Sequence, residues 1–429
     1  MPYRLPAPPV RACARAPRLA AVAAAAVLAA WSVAVAAVGG AEIPTGTIVF
    51  AESVPVETEL GLPELPDAPA VWLDLVDGAE RTIDVFTFYF SPNPDGVDHL
   101  QPVLAALEAK ARGGVAVRLL SERKFHETYP ETHDRLGQVP GIQARLFDGE
   151  ALWGGILHAK GMILDDRRFF LGSQNWDWRA LEHIHELGAV VADDSLTADL
   201  ARIYALDWAL AGGEAPPPVR ASVPATPEWR RPRALLAPGE VPCAAVLAAS
   251  PPQALPPGVP WDLPLLVDQI DRARERVRLQ MLSYSPGDRD VAWWGDLDAA
   301  LRRAAGRGCE VQLIFSNWAK RASSLAHIQS LALVPNVAVR FTNVPAWSGG
   351  FVPFARVEHA KYLTCDRDAL WLGTSNGSRD YFFDSRNVSL FLRGEGCAAA
   401  ADAFFERSWS SPYAEPVDPC GEYAPPRTR

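Results

Sequence analysis

The stretch ILHAKGMILDDRRFFLGSQN, residues 156–175, is answered by VEHAKYLTCDRDALWLGTSN, residues 357–376. Each copy reads His-Ala-Lys, then four residues, then Asp, and closes on Gly-Ser/Thr-x-Asn. Only five of the 41 basic residues are lysines, and two of those, Lys160 and Lys361, stand two places after a histidine. With this composition a single His-x-Lys-x4-Asp match arises by accident roughly once in two hundred chains, so two matches require a chemical reason. The recurrence also limits the fold, because it makes the chain two copies of one unit.

Laying residues 66–210 over 260–412 extends the repeat to whole halves. Alternating strands at 82–90 and 277–283 are followed by helical patterns in LQPVLAALEAKARGG and LDAALRRAAGRG, then by strands VAVRLLSE and EVQLIFSN. Strands GIQARLFD and VAVRFTN lead into the two motifs, HELGAVVAD and RNVSLFLRG follow them, and a helix closes each half. Such alternation predicts an α/β fold: two duplicated domains, each a mixed β-sheet flanked by helices, related by a pseudo-twofold axis. The expected division is 1–41 targeting segment, 42–215 first domain, 216–242 Pro-rich linker, 243–416 second domain and 417–429 tail.

At 429 residues the chain suits two domains with cores of ordinary size. A formal net charge of -10 argues against a protein that coats long duplex DNA, yet leaves room for a small phosphate-binding pocket. Arg4, Arg11, Arg15 and Arg18 precede an uncharged, alanine-rich run from Leu19 to Ala41, the layout of a secretory signal or of a single membrane anchor. Either places the body outside the cytoplasm. Five cysteines follow that segment, an odd number, so at least one thiol is left free or paired between chains. Cys365, inside the second motif, reads as an inert packed thiol.

Strand alternation puts His158 and Lys160 on one face, and likewise His359 and Lys361. An imidazole beside an ammonium suits a phosphoryl group: lysine neutralises its oxygens, while histidine attacks phosphorus or carries a proton near neutral pH. Asn175 and Asn376 could donate amide hydrogens to the same oxygens. Two half-sites of one histidine each make sense only if they meet, because nucleophile and leaving-group acid stand on opposite sides of phosphorus.

The doubled motif resembles the phospholipase D superfamily. ESVP at 52–55, DWRAL at 177–181, HELG at 185–188, ARVEHAKY at 355–362, GTSN at 373–376 and DYF at 380–382 resemble the branch that contains lysosomal 5′-exonucleases of single-stranded nucleic acid. The resemblance runs from about residue 49 to 413. It implies two phospholipase D-type domains sharing one active site, a phosphohistidine intermediate, and no metal or other cofactor. By position, His158 would be the nucleophile and His359 the general acid, with Lys160, Lys361, Asn175 and Asn376 binding the phosphoryl oxygens. Glu186 matches the acid that orients a catalytic imidazole. Asp165, Asp366, Ser173 and Ser375 are expected in support, Asp165 and Asp366 through buried salt bridges. The duplication breaks where Asn387, not an acid, stands eleven residues after Asn376; on the residues alone, this leaves open which imidazole attacks.

The remaining histidines attract less. His183 and His185 lack a third metal ligand and are expected beside the site or at the surface, and His99, His126, His133 and His327 are expected in solvent or loops. Trp153, Trp293, Trp294, Trp318 and Trp347 invite a nucleobase-stacking reading, although packing accounts for most tryptophans. Phe86, Phe88 and Tyr89 are expected mainly in the core. Substrate classes that fit are single-stranded nucleic acid and phospholipid, the latter needing an exposed apolar loop such as SGGFVPF at 348–354. A catalytically inactive scaffold fits poorly with two intact motifs. Oligomeric state is not encoded in any of these features, and membrane association would run through the N-terminal segment.

Overall fold

A computed structural model describes residues 43–94, 98–214, 229, 232–287 and 293–429. Residues 1–41, expected as a targeting segment, and Pro216–Pro218 lie outside the described residues. The first half contributes strands β1 (Thr47–Ser53), β2 (Thr82–Thr87), β3 (Ala116–Glu122), β4 (Ile142–Phe147), β5 (Gly161–Leu164), β6 (Arg168–Gly172) and β7 (Ile184–Ala192). These pair in the order β1-β7-β6-β5-β2-β3-β4, antiparallel as far as β2 and parallel beyond it.

The second half repeats the sheet strand for strand. After β8 (Arg233–Ala237) come β9 (Val241–Ser250), β10 (Arg276–Met281), β11 (Glu310–Ser316), β12 (Val337–Thr342), β13 (Val357–Glu358), β14 (Tyr362–Cys365), β15 (Ala369–Gly373) and β16 (Asn387–Arg393). Their order is β9-β16-β15-β14-β10-β11-β12, with the same change from antiparallel to parallel at β10. Residues 233–242, expected in the linker, instead pair in the sheet: β8 forms a hairpin with β9 and meets β1 at Thr47 and Leu236, so the two sheets are joined.

Each sheet is buried on both faces, as its near-continuous apolar strands require. Helices α1 (Ala68–Asp77) and α2 (Leu100–Arg112) cover the outer face of the first sheet, and α3 (Pro130–Gly137) packs beside β4. Residues from α5 (Asp262–Arg272), α6 (Asp296–Gly306) and α7 (Ala322–Ala332) fill the matching core of the second. The long closing helices α4 (Asp194–Ala211) and α8 (Ala399–Trp409) contribute Tyr204, Trp208, Phe404 and Phe405 to one cluster with the inner faces of both sheets. That shared cluster makes the halves one body.

Asp165 and Asp366 do not form the expected buried salt bridges. Each turns its chain at φ 55°, a left-handed conformation that aspartate tolerates. The Asp165 carboxylate accepts the backbone N–H groups of Glu80, Arg81 and Thr82 at 2.7–2.9 Å, and Asp366 accepts those of Arg274, Glu275 and Arg276 at 2.8–2.9 Å. The motif aspartate therefore pins the entry of the neighbouring strand, β2 or β10. Replacing Asp165 with Ala frees three donors and is expected to lower stability by about 2 kcal/mol, read from denaturant unfolding, with kcat of the folded protein unchanged.

Candidate active site

The motif lysines come just before β5 and β14, so His-Ala-Lys is extended chain ahead of the strand rather than part of its ladder. What holds it is the opposite half. His158 N–H donates to the Arg386 carbonyl (2.9 Å), and Arg386 N–H to that of Ile156 (2.8 Å). In the second copy His359 N–H donates to His185 (2.9 Å) and Arg356 N–H to His183 (3.0 Å), while β13 pairs parallel with β7. Gly155 is required where the first crossing begins, because a Cβ there would collide with the Asp384 carbonyl.

Crossing the halves exchanges their orienting groups. His359 Nδ1 lies 2.8 Å from both oxygens of Glu186, which is fully buried. His158 Nδ1 is 2.9 Å from the Thr374 carbonyl and 3.2 Å from Asn387 Oδ1. The Asn387 amide is itself fixed, its oxygen accepting from Thr374 Oγ1 (2.8 Å) and its Nδ2 donating to the Tyr381 carbonyl (2.7 Å). Both partners of His158 Nδ1 are acceptors, so Nδ1 carries the proton and Nε2 keeps its lone pair.

The two lysines are fully buried, and each Nζ donates to the carbonyl of its own histidine, Lys160 at 2.6 Å. Burial, with Lys361 adding, pushes Lys160 well below its usual range, and burial brings Lys361 down to about 7. A bound phosphodiester anion would hold both in the ammonium form. Burial lowers His158 well below 6.5, helped by Lys160, Lys361 and His359; His359 is lowered by burial, Lys361 and Lys160. Glu186 goes the other way, raised to about 8 by burial against the pull of Lys361, Ser173 and Lys160. Glu186 and His359 therefore titrate as one unit that carries an extra proton up to about 8. His158 has no charged partner on Nδ1 and stays neutral.

Asn175 and Asn376 follow β6 and β15, both buried with Oδ1 unpartnered. Ser173 Oγ donates to the Leu187 carbonyl next to Glu186. Its counterpart is Thr374 rather than Ser375, whose buried Oγ has no partner; the Ser/Thr alternative in the Gly-Ser/Thr-x-Asn pattern carried that signal. Tyr381, signalled by the DYF triplet, stands edge-on to His158 at 4.9 Å.

Several expectations change. Phe88 is half-buried and lies at the site, its ring 5.2 Å from the His158 ring and 5.1 Å from Lys160 Nζ. Tyr89 is half-buried too, whereas Phe86 is core. His133 is buried in a bond with Ser121, not solvated, and Trp294 is core. His183 packs against Trp178 and Trp347, and His185 is fully buried beside Glu358. Among the described residues no group of three or more His, Cys, Asp or Glu could hold a metal ion.

Two imidazoles with unlike charge environments, and two lysines for the anion between them, define a phosphodiester hydrolase whose single site is split across a duplicated fold. A family model described as cardiolipin synthase, PLD-like domain, matches twice, at residues 73–208 and 266–409. The chain is 32% identical to the human (Homo sapiens) protein 5'-3' exonuclease PLD3 over 387 residues, 82% of this chain and 76% of that one. It is 30% identical to Phospholipase D Z of Dictyostelium discoideum over 391 residues, 87% of this chain and 91% of that one. The phosphatidylserine synthase of Haemophilus influenzae Rd KW20 shares the fold at TM-score 0.60 and 10% identity, covering 86% of this chain and 87% of that one. The chain belongs to the phospholipase D superfamily, in the branch of the exonuclease relatives.

The crossed arrangement makes a directional prediction. Glu186→Gln removes the carboxyl that shares a proton with His359 of the other half and is expected to cut kcat about a hundredfold on a generic phosphodiester. Asn387→Asp, which places a carboxylate on His158, is expected to slow the reaction by protonating that ring at neutral pH, with relief as pH rises.

Proposed function

We propose that this protein is an exported 5′-exonuclease of single-stranded nucleic acid that works through a phosphohistidine on His158. Nε2 of His158 attacks phosphorus, the P–O bond to the leaving group breaks, and His359 Nε2 gives that oxygen its proton. Water then attacks the phosphohistidine while His359 takes one of its protons, releasing a phosphomonoester and free His158. Lys160, Lys361, Asn175 and Asn376 hold the non-bridging oxygens. The assignment of attacker and acid follows the charge environments: the imidazole with neutral acceptors stays unprotonated, and the one on Glu186 shares a proton.

One observation carries the nucleic-acid reading, the aromatic surface on the His158 side. Beyond Phe88, the Phe125 ring is 3.8 Å from Phe88, and Tyr89 stacks on Tyr129 at 4.8 Å. All four rings are half-buried and packed on one another beside His158, an aromatic cluster of the kind on which bases stack. The relatives named 5'-3' exonuclease support a nucleic-acid substrate and the same polarity. The lipid reading draws on the relative named Phospholipase D Z and on Phe351, 46% exposed in the 348–354 loop. Against it, the Arg427 guanidinium covers that ring at 4.1 Å.

Export is supported by the N-terminal layout and by a disulfide between Cys243 and Cys397, which belongs to an oxidising compartment. Among the described residues Cys309 and Cys365 are buried free thiols and Cys420 an exposed one, and no helix is long and apolar enough to cross a membrane.

Purified protein should release nucleotides from a 5′-hydroxyl single-stranded oligonucleotide and leave phosphatidylcholine vesicles intact; the reverse outcome establishes the lipid reading. His158→Ala and His359→Ala should each lose at least about 10³-fold in kcat while melting as the wild type does, and chelator should have no effect. Phe88→Ala should raise KM for oligonucleotides about tenfold but not for a generic phosphodiester. Protonation of His158 sets the acid limb, below 6.5, and loss of the Glu186–His359 proton sets the alkaline limb, near 8. The rate should therefore be flat between them and fall on both sides.

A further inference from the structure

The halves diverge once more, in the residue immediately before each orienting group. Arg386 precedes Asn387, is fully buried, and meets both oxygens of Asp207 on α4 at 2.8–3.1 Å. It also donates to the carbonyls of Ser250 and Ala254, both at 2.7 Å. Its counterpart before Glu186 is His185, also fully buried. On α8, Ser408 stands where Asp207 stands on α4, and its Oγ is 3.4 Å from His185 Nδ1. The charge partners come from elsewhere: Glu358 Oε2 is 2.8 Å from Nδ1, and Glu52 Oε2 is 3.7 Å from Nε2.

A permanent ion pair in one half is thus a histidine between two carboxylates in the other. Glu358 precedes His359 and pairs with His185 across β13 and β7, so the two rows His185–Glu358 and Glu186–His359 lie next to each other. Behind Glu358, Gln280 Nε2 donates to Oε2 at 2.6 Å and the Tyr362 hydroxyl donates to Gln280 Oε1 at 2.7 Å; the Phe404 ring closes the other side of His185 at 4.3 Å. We propose that His185, as the buried cation between Glu52 and Glu358, is a positioning residue that sets how tightly the Glu186–His359 pair holds its proton. Burial pulls His185 down, but the two carboxylates override it and hold the ring near 9. Its charge adds to those of Lys361 and Lys160 in drawing Glu186 down toward the ionised form.

The inference rests on His359 as the proton donor. In the full chain, His185→Gln takes a positive charge from beside Glu186, so the pair keeps its proton to higher pH and gives it up less readily. The expected readout is a kcat about tenfold lower, KM within about threefold, and an alkaline limb moved up by about half a pH unit or more. The charge-retaining graft His185→Arg with Ser408→Asp should keep the limb where the wild type has it. A fall in kcat with the limb unmoved in His185→Gln overturns the proposal, because a simple strut would do the same; so does a limb that moves in the graft. Should neither variant fold, histidine ring ¹⁵N spectra of His359→Ala protein at pH 8 decide: an imidazolium is expected, and its absence overturns the idea. If His359→Ala keeps full activity, the reading of the site falls instead, and the ring spectra still decide the charge of His185.

Discussion

Everything in the site hangs on a few backbone hydrogen bonds between halves. The chain ahead of β5 lies against the start of β16, and β13 lies against the start of β7, each by parallel pairing. Through those contacts a motif histidine receives its Nδ1 partner from the other copy. Neither half alone can orient its own imidazole. The shared apolar cluster built from α4, α8 and both sheets is the structural counterpart of that dependence, since two domains that exchange catalytic partners cannot drift apart by even an ångström without losing them.

Burying Lys160, Lys361, Glu186, His158 and His359 together is expensive, because an isolated charge in such an interior costs several kcal/mol. The cost is limited by pairing and by protonation: lysines pushed down, a carboxyl pushed up, His158 neutral, and one proton shared between Glu186 and His359. The same shifts suit the chemistry. Burial pushes both lysines toward the neutral form, and an anionic phosphodiester between them favours their charged form. Rigid carriers of permanent charge sit one layer out, in Arg386 with Asp207.

Much of this was legible in the sequence where the signal is local. Motif spacing located His158, Lys160, His359 and Lys361, and repeated strand and helix patterns gave the order of elements in both halves. Non-local facts were not legible. The eleven-residue step from Asn175 to Glu186 shows that an acid is near an imidazole, but only the crossing of halves shows it to be His359. Phe88 reads as core from strand alternation because periodicity stops at the strand end, which comes at Thr87. Residues 233–242 read as linker from their prolines and charge, yet β1 offered an open edge beyond Thr47 for β8 to meet. The Asp165 and Asp366 carboxylates went to backbone donors because a strand entry with three unpaired N–H groups needs them more than an arginine does.

Duplication gives two equal half-sites, and equal half-sites cannot carry out a reaction in which a proton must travel one way. The asymmetry is concentrated in one small cluster: Glu186 against Asn387, His185 against Arg386, Ser408 against Asp207, and Glu358 against Leu157. Elsewhere the copies keep their register, including the aspartates at φ 55° and the lysines donating to their own histidine carbonyls. Changing Asn387 alone would charge the His158 ring, and changing Glu186 alone would strand His359 without a proton partner. The four differences form one electrostatic unit on the His359 side, layered outward from the imidazole through Glu186 to His185 and its carboxylates. Symmetry in the backbone and asymmetry in the charges let a repeated fold perform a directional reaction.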